Sequence, residues 1–248
     1  MWRYLLDLVL PVRCVACRGP DGPLCSVCAR HALHTEPSLV PADDRPGGGV
    51  PTRCVAAGAY GGALRSALIA YKERGQRALA RPLGARLAEA VAVALVASPP
   101  GVRLGGTGSI VLVPVPSSDA AIRARRGDHV VALARFAAVT LRERGFDARV
   151  ESALTMCRTP ADSVGLSAAQ RRVNVAGAFA AARARTGARS RLPPGGAIVL
   201  VDDIVTTGAT LAEAYRAARA GGLPVRAAAV VAATPRPGVG VSAVRDRW

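Results

Sequence analysis

Residues 198–210 read IVLVDDIVTTGAT. An apolar run, Ala197 to Val201, meets two adjacent carboxylates, Asp202 and Asp203. Behind them comes the turn Thr206-Thr207-Gly208-Ala209-Thr210 and then a helical pattern over 209–220. The run has the length and β-branched character of a buried strand. In open α/β sheets, ligands gather at the carboxyl ends of strands. A helix starting behind the turn offers unpaired N–H groups and a positive dipole end to an anion. Gly208 lets the backbone come close, and the threonine hydroxyls add donors. An Asp N-cap needs only one carboxylate, whereas two like charges side by side repel. The element therefore offers carboxylates for diol hydroxyls or a metal, and a cradle for a phosphate. A sugar phosphate meets both ends.

Outward from this stretch, short apolar strands alternate with helical patterns. Strands are expected near 54–60, 110–116, 197–201 and 225–233, and helices near 62–72, 78–97, 128–144 and 209–220. The alternation predicts an α/β domain, its sheet mainly parallel and flanked by helices. GGTG at 105–108 precedes a strand rather than following one, so it is not a dinucleotide fingerprint, and no GxxxxGK[ST] phosphate loop occurs. The stretch 37–51, PSLVPADDRPGGGVP, reads as a linker. It divides the chain into residues 1–45, an N-terminal helix with a small cysteine module, and residues 52–236, the larger domain.

Four of the six cysteines form one group, CVAC at 14–17 and CSVC at 25–28. Two CxxC knuckles place Cys14, Cys17, Cys25 and Cys28 to hold a tetrahedral ion, and structural zinc is the expected occupant. Two disulfides or an iron–sulfur cluster are the alternatives. Cys54 and Cys157 stand alone and read as small buried hydrophobes.

The net charge is +16, carried by residues 51–248, where 28 basic residues face 12 acidic ones. Such a body attracts phosphates, nucleotides or nucleic acid. Arg183, Arg185, Arg189 and Arg191 crowd one loop. Lys72 is the sole lysine. No apolar run reaches the ~18 residues of a membrane span. A faint signal-like start, MWRYLLDLVLP, is interrupted by Asp7 and lacks a small-residue cleavage site, so a cytoplasmic location is expected.

IVLVDDIVTTGAT resembles the 5-phosphoribosyl-1-pyrophosphate (PRPP) motif of type I phosphoribosyltransferases at every position. The chain as a whole resembles the ComF family of competence proteins, which join a four-cysteine zinc module to a phosphoribosyltransferase-like domain. Residues 64–84 are similar to that family's L-x-x-L-K-x-x-G segment, with Lys72 on its lysine. VLVPVPSS (111–118) is similar to its P-V-P turn, and Arg123, Arg125, Arg126 and Gly127 to the R-x-R-R-G behind it. Arg171, Asn174, Gly177 and Phe179 are similar to its R-x-x-N-x-x-G-x-F. Asp128-His129 depart from the family's aromatic–Asn pair, and Val164-Gly165 replace its glutamine.

The resemblance implies attack of an acceptor on the anomeric carbon of PRPP, with loss of pyrophosphate and Mg2+ accompanying the PRPP. It implies Asp202 and Asp203 at the ribose hydroxyls and Thr206, Thr207, Gly208, Ala209 and Thr210 around the 5-phosphate. Val115, Pro116, Ser117 and Ser118 would lie at the pyrophosphate, with Lys72, Arg123, Arg125 and Arg126 answering its charge. The implied partners are PRPP or another ribose phosphate, and single-stranded DNA or the competence machinery. Three functions stand open: a phosphoribosyltransferase, a PRPP or nucleotide sensor without turnover, and a nucleic-acid-handling factor.

Overall fold

A computed structural model describes residues 13–41, 53–96, 109–161, 165–182 and 196–235. The helix expected near the N-terminus, the 42–52 stretch, the loop at 98–108, Val164 and the four-arginine loop lie outside the described residues. The protein is α/β. Six strands form one sheet, in the order β1 (Ser38–Val40), β2 (Cys54–Ala56), β8 (Val225–Ala233), β7 (Ala197–Val205), β3 (Ile110–Pro114) and β4 (Ala148–Val150). All neighbours run parallel except β1, which pairs antiparallel with β2. β5 (Leu154–Met156) and β6 (Phe179–Ala181) form a separate antiparallel pair.

Among the described residues the α-helices are α1 (Ser26–Leu33), α2 (Gly62–Glu73), α3 (Ala80–Val96), α4 (Asp119–Arg125), α5 (His129–Glu143), α6 (Ala168–Val175) and α7 (Ala209–Ala220). Parallel strands joined by helical crossovers are buried on both faces, and here their sequences read as unbroken apolar runs. Along β7 the side chains alternate between two cores, as a pleated strand requires. Val199 and Val201 pack with Leu68 of α2, Leu83 and Leu87 of α3, and Leu133 of α5. Ile198 and Leu200 pack with Leu211 and Ala214 of α7 and with Leu154 and Phe179 of the strand pair. The α3–α5 crossing is close: a Cβ on Gly84 would stand 2.4 Å from the Phe136 Cβ and 3.0 Å from the Leu133 carbonyl oxygen.

Two expectations change. The stretch read as a linker contributes β1, because Ser38–Val40 pairs in register with Ala56–Cys54 at the sheet edge. The cysteine segment is thereby stitched to the sheet. Ala32 of α1 is buried in the core of α2 and α3. The buried Arg86 guanidinium of α3 donates to the Thr35 and Ala57 carbonyls and pairs with Glu89. The second change concerns β7, which runs on through both aspartates to Val205 instead of stopping at Val201. Its partner β8 continues alongside, pairing Asp202 with Val230 and Val205 with Ala233.

Candidate functional site

Two sites can be built from these elements. In the first, the knuckles bring the Sγ atoms of Cys14, Cys17, Cys25 and Cys28 within 4.8 Å of one another. Backbone turns fold each thiol inward: the Cys14 N–H donates to the Gly19 carbonyl, and the Gly19 N–H points to Cys17 Sγ at 3.4 Å. Burial alone would raise the Cys14 thiol, but backbone donors at Cys17, Cys25 and Ala16 overrule it and bring the pKa to about 6. Cys28 goes the other way: burial and the neighbouring sulfurs push it up to about 12. One thiolate forms readily while the last meets accumulated negative charge, and a bound cation relieves that opposition. Four thiolates at this spacing are placed to bind a metal ion, and a four-sulfur set leaves no open position for chemistry.

The second site is a cleft of about 430 Å³ over the carboxyl end of the sheet. Lys72, Val115, Pro116, Ser117, Ser118, Arg125, Asp202, Asp203, Thr206 and Thr210 all line it. β7 supplies the aspartates, β3 and its turn supply 115–118, and α2 delivers Lys72 from its last turn. Thr207, Gly208 and Ala209 stand behind that wall in the turn. Gly208 adopts φ 80°, a left-handed conformation that costs a side chain strain, and as the N-cap of α7 it offers no side chain to the helix's first amides, of which Ala209 N–H reaches Thr207 Oγ1 at 3.5 Å. Arg123 lines a neighbouring cavity of about 540 Å³ that shares Val115, Pro116 and Ser117 with the cleft. Arg126 ends α4 in a left-handed conformation, and its carbonyl accepts 2.6 Å from Arg77 Nη2; it lines neither hollow.

The pleat separates the two carboxylates. By alternation Asp203 falls with Val199 and Val201 on the α2–α5 side, and Asp202 with Ile198 and Leu200. Asp203 Oδ2 lies 2.8 Å from Lys72 Nζ and 3.0 Å from His129 Nε2, and Oδ1 accepts from the Ile204 N–H at 2.8 Å. Burial would raise Asp203, yet the His129 hydrogen bond and the Lys72 ammonium win and hold its carboxyl well below the usual range. Asp202 takes the opposite course. Burial, with the Asp203 charge behind it, lifts its carboxyl well above the ordinary value. The two neighbouring carboxyls are thus driven apart, Asp203 towards the ionised form and Asp202 away from it. Burial disfavours the Lys72 ammonium, but Asp203 outweighs it and the lysine's pKa rises.

Sequence reasoning missed His129 and Tyr71. The Tyr71 hydroxyl donates to the His129 carbonyl at 2.8 Å, and its ring meets the imidazole edge-on at 6.4 Å. The only signal for His129 was its position in the Asp128-His129 departure. Asp128 itself caps α5, accepting from the Val130 and Val131 amides. Cys54 is buried as expected, its thiol pushed up to about 12 by burial and the Asp202 charge. Cys157 is not a buried hydrophobe: it is exposed, on the wall of the second cavity. Among the described residues no helix is long and apolar enough to cross a membrane. No protein-family profile matches the chain, and no curated protein matches it.

Proposed function

We propose that the protein is a ComF-type phosphoribosyltransferase-domain protein that binds PRPP with Mg2+ and transfers phosphoribose to an acceptor. One observation carries the reading. A buried aspartate pair near the carboxyl end of a central parallel strand lines a cleft of about 430 Å³ together with Lys72, Arg125 and residues at the start of α7. That is a diol site, a phosphate cradle and a cation pair in one hollow. On this reading the domain has the type I phosphoribosyltransferase fold, the four cysteines hold structural zinc, and the protein works in the cytoplasm in DNA uptake.

The chemistry asks for positioning and for charge at the leaving group rather than for strong acid–base catalysis. Asp203, kept ionised, accepts from a ribose hydroxyl. Asp202, whose Oδ1 accepts from the Asp203 N–H at 2.8 Å, lines the same hollow. The amides of 206–210 and the threonine hydroxyls hold the 5-phosphate. As the bond from the anomeric carbon to the pyrophosphate oxygen breaks, Lys72 and Arg125 take up the charge on the departing oxygens. Mg2+ bound with PRPP supplies further neutralisation of the diphosphate while keeping most of its waters.

Calorimetric titration with PRPP, with and without Mg2+, tests the proposal. Saturable, Mg-dependent binding that is lost in Asp202→Asn/Asp203→Asn supports it; absence of binding at millimolar PRPP overturns it. A nucleic-acid-handling role draws on a different observation. The arginine-bearing segments 74–81 and 123–126 are tied together by the Arg77–Arg126 hydrogen bond into one cationic rim. Single-stranded DNA affinity falling steeply with salt, and unchanged by the Asp substitutions, is the outcome that reading expects.

A further inference from the structure

His129 has no part in the ligand roles assigned above, yet it is the more enclosed of the two ionisable side chains bonded to Asp203. It is 8% exposed, against 29% for the Lys72 side chain. Its ring has two partners. Arg125 Nη1 lies 3.3 Å from Nδ1, and Asp203 Oδ2 lies 3.0 Å from Nε2. A guanidinium only donates, so Nδ1 must accept. The proton of the neutral ring therefore sits on Nε2 and is donated to the carboxylate. Tyr71 fixes the backbone of the same residue, and the Asp128 cap fixes the first turn of α5.

Asp203 consequently has three donors: His129, Lys72 and the Ile204 amide. A carboxylate has about four acceptor positions, so a ligand hydroxyl finds little room while all three stay. The two side-chain partners differ in freedom. Lys72 hangs from the end of α2, partly exposed and on the cleft wall, within reach of an incoming diphosphate. The imidazole is locked from three sides.

Resting on the PRPP reading, we propose that His129 is the positioning residue of this site: as the Nε2–H tautomer it holds the Asp203 carboxylate in place when Lys72 is drawn off to the pyrophosphate. Lys72 is then an exchangeable partner of Asp203 and His129 the permanent one. Arg125 sets the tautomer through Nδ1, which links the cation facing the leaving group to the carboxylate facing the ribose.

The test has a ligand-free arm and a ligand arm. Nitrogen-15 NMR of the three histidine side chains, with His129→Asn identifying the signal, reads the tautomer directly. Protonation at Nε2, with that proton slow to exchange in wild type and fast in Asp203→Ala, is expected. A ring protonated at Nδ1 overturns the proposal. In the ligand arm PRPP affinity is measured with Mg2+. His129→Leu fills the space but cannot donate, and should weaken binding roughly tenfold, as expected for one lost hydrogen bond to a charged group. His129→Asn carries an amide N–H and should recover most of the loss. Equal affinity of the Leu and Asn variants overturns the positioning role, even with both folded. If wild type binds no PRPP while the Nε2 proton bridges to Asp203 as described, the ligand assignment fails and the hold on the carboxylate stands.

Discussion

Lys72→Met keeps the apolar stem of the side chain and removes only the ammonium. In the folded protein that ammonium lies 2.8 Å from a carboxylate whose side chain is 6% exposed. At an effective dielectric constant of about 20, the attraction is about 6 kcal/mol. Desolvating the pair offsets most of it, and breaking one side of a buried pair costs about 3–5 kcal/mol in general. Here Lys72 is partly exposed and His129 still serves Asp203, so about 2 kcal/mol is expected at neutral pH. That is a fall in melting temperature of about 4–8 °C for a chain of this size.

The effect has a pH window. Asp203 is held below its ordinary value, so its share is complete above the unfolded carboxylate pKa of about 4 and fades as pH falls through the folded value. Lys72 is raised, so its share is complete below the unfolded amine value of about 10.4 and fades as pH rises through the folded one. Urea denaturation of wild type, Lys72→Met, Asp203→Asn and the double variant gives the coupling energy. A coupling of about 2 kcal/mol at pH 7 that shrinks below pH ~4 is expected. Additivity within about 0.5 kcal/mol would refute the ion pair as an energetic unit.

Gly84→Ala puts a methyl group against Phe136 and the Leu133 carbonyl at the α3–α5 crossing, and should cost ~1–3 kcal/mol by overpacking, read as a lower urea midpoint. Gly208→Ala forces a side chain into φ 80° and should cost ~1–2 kcal/mol in stability. Its PRPP affinity, measured well below the melting temperature, should fall as well, because the same turn holds the phosphate. Removing metal with a chelator, or replacing Cys28 with Ser, should release one divalent ion per chain and expose the 13–41 segment to proteolysis. Metal release measured colorimetrically should be promoted by acid, since the ligating sulfurs must be deprotonated.

Much of this protein is legible along the chain. The alternation of apolar runs and helical periods is local, because strand and helix each impress their own period on consecutive residues. That made the α/β class and the positions of β3, β7, β8, α2, α5 and α7 readable. The CxxC spacing and the DD–TTGAT stretch are local too, since each motif occupies one short segment. The strands β1, β4, β5 and β6 have only three residues each, too few for a period to show. β1 exists because β2 offers it an edge, something that a proline- and glycine-rich stretch cannot announce.

The decisive features of the cleft came only with tertiary structure. Asp202 and Asp203 are chemically identical neighbours in the sequence. The pleat of β7 turns them to opposite faces, and only one of those faces carries Lys72 and His129. One carboxyl is therefore held below its ordinary value and the other is pushed above it. Lys72 and His129 stand 131 and 74 residues before Asp203 in the sequence, and they reach its carboxylate only when the helices pack. A pKa depends on what surrounds a group within a few ångströms, and here the packing of α2 and α5 on the sheet decides which of the two carboxyls meets a cation.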